Sequence, residues 1–471
     1  MSGAASPAAR TAQSDSARRD SLAVTAAALA ARLAVVAWAA SRFPPAADGA
    51  YYQRIAERLS QGLGYTWLWP DGAVTYAAHY PVGYPAMIAA VYLVTGAHPA
   101  AAMILNAVLG ALAALAAHRL ALRAAPPRVA LAAGLLVAFH PGLVAYTPAL
   151  MTEGVTASLV TCAAAVAAWA REDAASARPR VIAPALAIGL LVGVATLVRP
   201  QSLVLAPVFG LLAALAPGRP WLRRGASLAA TATLTALLVC APWTARNCVR
   251  MKRCALVSVN GGWNLLIGAD AASTGAWSPI KVPEACREVF DEAEKDACFG
   301  REARRYVREH PAAWLALAPR KLAATFDYAG AAGWYLHDAN PAAFPSEAKV
   351  ALGGLEFLFE RLALLGALAW SARADGRLPR LRLGLALLGG VFAFLLHAWI
   401  AYAALAVAAL LRGRSLWTGP LLGAAAITVL LATMAIHATF FGAGRYSLVV
   451  FPLLTALGPL AFVGPRSTRR P

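Results

Sequence analysis

The chain contains few charged residues. Of its 471 residues, 14% are charged, whereas a soluble domain usually has about 25%. Hydrophobic residues make up 60% of the chain and recur in runs of about 17–24, the length at which a helix crosses the hydrocarbon layer of a bilayer. This composition excludes a soluble enzyme, a disordered protein and an outer-membrane barrel, whose strands alternate apolar and polar residues. We therefore predict an all-α polytopic membrane protein with about ten to twelve transmembrane helices.

Cysteine is also scarce. Six cysteines are too few for a small secreted fold built on disulfides. Cys162 and Cys240 lie in apolar runs, which is typical of small packing residues. The other four lie in one long polar segment, where disulfides can form if the segment is extracytoplasmic. Among them we expect Cys286 and Cys298 to pair.

Acidic residues are outnumbered by basic ones. The chain has 42 Lys and Arg against 23 Asp and Glu, which gives a net charge of +19. The basic residues cluster in short loops between apolar runs, as they do in the cytoplasmic loops of membrane proteins. We therefore interpret the charge as a topology signal, exclude nucleic acid as a partner and place the N-terminus in the cytoplasm. The clusters are Arg18/Arg19, Arg119/Arg123/Arg128, Arg178/Arg180, Arg219/Arg223/Arg224, Arg412/Arg414 and Arg466/Arg469/Arg470.

The order of apolar and polar stretches divides the chain into five parts. They are a disordered cytoplasmic tail (1–20), an N-terminal transmembrane module (21–245) with a first extracytoplasmic loop (41–84), an extracytoplasmic loop domain (246–346), C-terminal transmembrane helices (347–465) and a second cytoplasmic tail (466–471). Pro311–Tyr328 is predicted as an amphipathic helix at the membrane surface. Val350–Trp370 either spans the membrane or lies on its surface, and Leu383–Leu411 is either one long helix or a hairpin of two.

Acids at the predicted outer surface are few. Before residue 246 the chain has eight acids, of which Asp48, Glu57, Asp71 and Glu153 fall on that side. Ionisable residues at membrane depth are functional candidates because they are costly to keep there. Asp48 precedes an amphipathic helix, so it is either the cap of that helix or a general base that takes a proton from an acceptor hydroxyl or amine. Glu153 opens a span, where it either favours the helix dipole or orients an arginine or the acceptor.

Three arginines lie at the predicted outer ends of spans, namely Arg199, Arg246 and Arg445. The planar guanidinium group suits phosphate oxygens, although an arginine in this position can also extend toward lipid headgroups. Gly442 and Gly444 leave room beside Arg445, and no acid lies close to it in the sequence. These arginines are therefore candidates for binding a lipid phosphate.

Several short motifs follow one another along residues 40–275 and 440–455. They are Asp48 with the tyrosine-rich helix after it, Gly62–Tyr65, Tyr80–Pro85, Thr152-Glu153, Val198–Gln201, Ala241–Asn247, Asn260–Leu265 and Gly444–Tyr446. Their order and spacing resemble the GT-C glycosyltransferases, in the branch that contains the protein O-mannosyltransferases and the lipid A aminoarabinose transferases. Two positions differ: many members have Asp-Glu where this chain has Asp48-Gly49, and Ala78-His79-Tyr80 replaces a second acid or lysine.

The resemblance implies a GT-C-like fold and an inverting transfer of a sugar from a polyprenyl-phosphate donor to a lipid, glycan or protein acceptor. The reaction is expected on the extracytoplasmic side of a bacterial inner membrane. Asp48 is implied as general base, and Arg445, Arg246 and Arg199 as ligands of the donor phosphate. The candidate substrate-binding residues are Glu153, His79, Tyr80, Tyr84, Tyr446 and Asn260. No cofactor is implied and no Cys/His cluster has zinc spacing, while a divalent cation stays an open alternative.

Two other functions are alternatives. A transporter or flippase of lipid-linked sugars predicts internal repeats, and the sequence shows none. A polymerase or ligase of lipid-linked glycans predicts basic and histidine residues in the outer loop, and His310 and His337 keep this alternative open. The motifs of nucleophilic serine, P-loop and dinucleotide-binding sites are missing from the sequence.

Overall fold

The computed structural model of the chain is almost entirely helical, as predicted. It describes residues 7–173, 182–215, 222–270, 272–395 and 397–463. The predicted tail 466–471 and part of the basic clusters (Arg178/Arg180, Arg219 and Arg466/Arg469/Arg470) lie outside the described residues. The tail 1–20, for which we expected disorder, is helical from Pro7 onward.

The first half of the chain contains the helices of the N-terminal module and a short β-hairpin in the first loop (residues 41–84). The elements are α1 (Pro7–Ala39), α2 (Asp48–Ser60), β1 (Thr66–Leu68), β2 (Val74–Tyr76), α3 (Gly83–Thr95), α4 (Pro99–Leu122), α5 (Pro127–Ala138), α6 (Pro141–Ala145), α7 (Thr152–Asp173), α8 (Ile182–Val198), α9 (Leu205–Ala214) and α10 (Leu222–Arg250). The two strands are antiparallel, with Thr66 opposite Tyr76. A 3₁₀ turn, Pro200–Val204, joins α8 to α9.

The second half begins with short helices in the polar segment (residues 246–346) and ends with longer apolar ones. The elements are α11 (Gly261–Ala269), α12 (Glu292–Glu309), α13 (Pro311–Ala316), α14 (Ala318–Phe326), α15 (Ala331–Ala339), α16 (Ser346–Ser371), α17 (Pro379–Ala393), α18 (Trp399–Leu410), α19 (Arg414–Thr418), α20 (Leu421–Thr439) and α21 (Phe451–Leu457). Further 3₁₀ turns are Glu284–Cys286, Gly444–Val449 and Gly458–Phe462.

Five helices of the described residues are long and apolar enough to cross a membrane, which makes the chain an integral membrane protein. They are Asp15–Ala39, Pro99–Leu122, Thr152–Glu172, Leu222–Arg250 and Leu421–Thr439. Six shorter apolar helices accompany them. The count of ten to twelve spans stays a prediction, because it depends on how many of the shorter helices cross.

Two long apolar stretches are each divided into two helices. The stretch 129–147 divides into α5 and α6 at His140-Pro141, because a proline disfavours helical geometry in the residue before it and cannot donate the next helical hydrogen bond. The stretch Leu383–Leu411 is the second of its two predicted alternatives, a hairpin of two helices, α17 and α18, which pack against each other. The helix α16 is continuous through Val350–Trp370.

The polar segment contains two disulfides, each of which closes a short loop. Cys286 and Cys298 pair as expected, and Cys248 pairs with Cys254 at the end of α10.

The apolar helices share one large core in which alanine is the commonest residue. Small side chains let helix backbones approach closely in a membrane, where packing rather than the hydrophobic effect drives association. Leu322, Phe326 and Tyr335 of the polar segment belong to the same core, so this part of the segment packs on the apolar helices.

Candidate active site

Asp48 is the first residue of α2 and follows the connection (residues 40–47) between α1 and α2. The residue before it, Ala47, has a left-handed backbone conformation with φ of 50°, which turns the chain sharply into the helix. The Asp48 carboxylate has hydrogen-bond partners in two other segments. Its Oδ1 accepts a hydrogen bond from the Tyr80 hydroxyl at 3.2 Å, and its Oδ2 accepts one from Arg445 at 2.9 Å. Asp48 therefore contacts other segments, and Ala47 holds the N-cap position.

Arg445 reaches the site from the other end of the chain. It lies in the 3₁₀ turn after α20, and the loop before it is fixed by a hydrogen bond from the Gly442 N–H to the Gly275 carbonyl at 2.8 Å. Besides Asp48, its Nε lies 3.2 Å from Glu153 Oε1. This second contact is an ion pair by distance and lacks the alignment of a hydrogen bond. One guanidinium thus lies between two carboxylates.

Glu153 lies in the first turn of α7, and only 2% of its side chain is exposed. Its Oε1 accepts a hydrogen bond from Arg199 Nη1 at 2.8 Å, and its Oε2 accepts one from the Tyr146 hydroxyl at 3.3 Å. Asp48, Arg445, Glu153 and Arg199 therefore form a chain of alternating charges, which we call the charge network. Two carboxylates balance two guanidiniums within it, as buried charges require.

Tyr446 lies beside both arginines of the charge network. The Arg199 guanidinium is 4.7 Å from the centre of its ring and that of Arg445 is 5.4 Å away. The ring also stacks on His437 at 4.3 Å. A cavity of about 40 Å³ begins at this point, and Arg199, Tyr446 and His437 line it together with apolar side chains such as Val160.

Aromatic rings pack around Tyr80, the hydrogen-bond donor to Asp48. Tyr80 stacks on Tyr51 at 5.3 Å and meets the edge of His79 at 5.0 Å. Burial, reinforced by the Asp48 carboxylate, raises the pKa of the Tyr80 hydroxyl above its ordinary value. Tyr80 therefore keeps its proton and donates it in the hydrogen bond to Asp48. Burial lowers the pKa of His79, against the opposing effect of nearby carboxylates.

Three other predicted residues lie away from the charge network. Arg246 donates hydrogen bonds to the carbonyl oxygens of Ala77 at 2.8 Å and Tyr65 at 2.9 Å, so it holds the first loop against α10. The Tyr84 hydroxyl donates to the side-chain amide oxygen of Asn106 on α4 at 3.0 Å. Asn260 precedes α11 and accepts a hydrogen bond from a serine hydroxyl at 2.9 Å. Arg246, Tyr84 and Asn260 thus form their hydrogen bonds with other protein groups outside the charge network.

Tyr146 belongs to the site and was missed by the sequence reasoning. It lies between α6 and α7, is 5% exposed, and its hydroxyl contacts Glu153. Nothing in the sequence marks it, because it shares no helix face or motif with Glu153. Within the residues that the structure describes, no group of three or more His, Cys, Asp or Glu side chains is arranged to hold a metal ion.

Residues 79–245 match the family model of dolichyl-phosphate-mannose-protein mannosyltransferases. This match confirms the resemblance to the GT-C superfamily of membrane glycosyltransferases. The matched segment includes Glu153 and Arg199 of the charge network, while Asp48 and Arg445 lie outside it. No curated protein matches the chain.

Several solved structures are similar to the chain. The archaeal oligosaccharyltransferase AglB from Archaeoglobus fulgidus, in complex with an inhibitory peptide and a dolichol-phosphate, is 13% identical with a TM-score of 0.46 over 94% of this chain and 50% of that chain. The same organism's oligosaccharyltransferase, tethered to an acceptor peptide, is 14% identical with a TM-score of 0.48 over 94% and 49%. ArnT from Cupriavidus metallidurans in the apo state is 16% identical with a TM-score of 0.41 over 94% and 77%. The chain thus spans about half the length of the archaeal proteins it matches.

Proposed function

We propose that the chain is a membrane glycosyltransferase that moves a sugar from a polyprenyl-phosphate donor to a lipid, glycan or protein acceptor, with inversion at the anomeric carbon. We place the protein in a bacterial inner membrane, with its N-terminus in the cytoplasm and the reaction on the extracytoplasmic side. The observation that carries the proposal is the charge network. It brings together an acid after α1, an acid at the start of α7 and two arginines from distant segments.

Asp48 is the proposed general base. About a third of its side chain is exposed, and each carboxylate oxygen has a lone pair left beyond its bond to Tyr80 or Arg445. An acceptor hydroxyl or amine can therefore donate a hydrogen bond to Asp48 and transfer its proton during the attack. Arg445 and Tyr80 fix the direction of the carboxylate, which keeps the base aligned with the acceptor.

Arg199 and Arg445 are the proposed ligands of the donor phosphate. Each guanidinium has five N–H donors, and the carboxylates of the charge network engage only part of them. As the acceptor oxygen or nitrogen bonds to the anomeric carbon, the bond from that carbon to the phosphate oxygen breaks. The negative charge that develops on the leaving phosphate is stabilised by the two positive groups. Attack from the face opposite the phosphate inverts the anomeric centre.

Replacement of Asp48 tests the base. In purified Asp48→Asn protein, transfer from a polyprenyl-phosphate sugar is expected to fall by about 10²–10⁴-fold, the usual contribution of a general base. The matched control is Asp71→Asn, an exposed aspartate in the same first loop, which is expected to transfer at the wild-type rate. Activity of Asp48→Asn close to wild type would show that Asp48 is not the base.

Mass spectrometry of lipids and glycans from cells that lack the protein identifies which conjugate loses its sugar.

A further inference from the structure

Tyr335 lies behind the two carboxylates of the charge network. It is on α15 in the polar segment, and only 1% of the residue is exposed. Its hydroxyl oxygen accepts hydrogen bonds from the Ala46 N–H at 3.2 Å and the Leu150 N–H at 3.4 Å. Ala46 lies two residues before Asp48, and Leu150 three residues before Glu153. A single hydroxyl therefore joins the two backbone turns that carry the carboxylates.

The space around this hydroxyl is filled. A β-carbon added to Gly49 would lie 3.0 Å from the Leu150 carbonyl oxygen and 3.1 Å from the Tyr335 hydroxyl oxygen. These distances are shorter than ordinary Cβ contacts, so a larger residue at this position would require Leu150 and the Tyr335 hydroxyl to shift slightly. The Tyr335 ring also lies 5.9 Å from the ring of Tyr146, which in turn contacts Glu153.

The helix that carries Tyr335 is itself fixed from behind. The buried Glu356 carboxylate of α16 accepts hydrogen bonds from two N–H groups at the start of α15, Ala332 at 3.4 Å and Gly333 at 3.2 Å. An acid in this position satisfies helix N–H groups that otherwise lack partners. Tyr335 is therefore held on a rigid support, anchored to a different segment from either carboxylate.

We propose that Tyr335 is a positioning residue, whose hydroxyl sets the distance between the Asp48 and Glu153 carboxylates so that Arg445 contacts both. This inference rests on the proposed glycosyltransferase function. Without the hydroxyl, two N–H groups lose their acceptor, that of Leu150 in a fully buried position and that of Ala46 in a partly buried one. This loss is costly enough for the turns to move apart. Arg445 can then contact only one of the two carboxylates, and Asp48 loses its alignment with the acceptor.

The test compares Tyr335→Phe with Tyr402→Phe. Tyr402 is equally buried but lies on α18, packed against Phe326. In Tyr335→Phe, kcat is expected to fall by roughly 10²-fold, because displacing a catalytic group by about 1 Å has this effect, while the donor KM changes by less than about threefold. Tyr402→Phe is expected to keep both constants. A loss of protein stability alone would lower the active fraction in both variants, without a specific fall in kcat per active site.

Backbone hydrogen exchange gives a readout that does not depend on activity. The amides of Ala46 and Leu150 are expected to exchange faster in Tyr335→Phe than in wild type. Gly49→Ala is expected to have the same effect on exchange, because its added methyl group would press on the Tyr335 hydroxyl. Unchanged exchange at both amides, or changed exchange with wild-type kcat, would overturn the positioning role. An inactive wild-type protein would instead contradict the proposed function, and the exchange data would still show whether the hydroxyl joins the two turns.

Discussion

Glu153 is the most enclosed member of the charge network, and replacing it by glutamine changes its charge with little change in shape. The wild-type network contains two carboxylates and two guanidiniums, so Glu153→Gln leaves one net positive charge in a site where Glu153 is 2% exposed. Removing one partner of a buried ion pair typically costs 3–5 kcal/mol. Here the side chains of Arg199 and Arg445 are 11% and 23% exposed, and Arg445 still has its ion pair with Asp48. Because both features reduce the cost, we expect a loss of about 2–3 kcal/mol in the free energy of unfolding.

The same helix provides the control. Glu172 lies near the other end of α7 and pairs with Arg123 at 2.9 Å, with the two side chains 56% and 24% exposed. Solvent screens such a surface pair, which contributes about 0–1 kcal/mol. In detergent, Glu153→Gln should therefore unfold at a clearly lower temperature than Glu172→Gln.

Kinetics separate the two interpretations of Glu153. If Glu153 orients Arg199 and Arg445, Glu153→Gln lowers kcat, because Arg445 and Asp48 shift, while the extra positive charge leaves the KM for the anionic donor no higher than in wild type. If Glu153 only interacts with the helix dipole, the change costs about 0.3–1 kcal/mol and leaves kcat unchanged. Equal unfolding temperatures and equal kcat for Glu153→Gln and Glu172→Gln would refute the assignment of Glu153 to the charge network.

Two further predictions concern residues around the network. Arg246→Lys removes the planar fork with which Arg246 bonds two carbonyl groups, so the first loop should become more sensitive to protease. Affinity for polyprenyl phosphate should stay the same. A loss of that affinity without a change in proteolysis would instead favour the expected role of Arg246 as a phosphate ligand. Since burial lowers the pKa of His79 in the folded protein, the unfolded chain binds the proton more readily, and stability should decline as the pH falls below about 6.5. His79→Asn should reduce this decline in thermal unfolding at pH 7.5 and 5.5, and an identical decline in both proteins would contradict the prediction.

The residue types of the site could be predicted, because acids are so scarce in this sequence. Asp48 and Glu153 stand out as acids beside apolar runs, and Arg199 and Arg445 as cations at the ends of such runs. Their pairing could not be predicted, because Asp48 and Arg445 are 397 residues apart. Arg246 has the same sequence context as the other arginines, and only the position of the first loop shows that its donors bond backbone carbonyl groups.

The fold, like the site, was predictable in part. Apolar runs predicted the long helices, whereas the break between α5 and α6 at Pro141 reflects the local effect of a proline on helical geometry. The Cys286–Cys298 disulfide was expected from its place in the polar segment. Tyr335 had no signal at all, because its role depends on two backbone N–H groups, and these look the same at every position of a sequence.

The balance of the charge network changes during the proposed reaction. When Asp48 takes the acceptor proton it becomes neutral, and Arg445 loses one of its two counter-ions. At the same step the phosphate changes from a diester to a monoester and gains negative charge. Arg445 can then exchange its carboxylate partner for the leaving phosphate without an uncompensated charge appearing in the site. When the lipid phosphate leaves, Arg445 needs Asp48 as an ionised partner again, so release of the lipid product is coupled to deprotonation of the base.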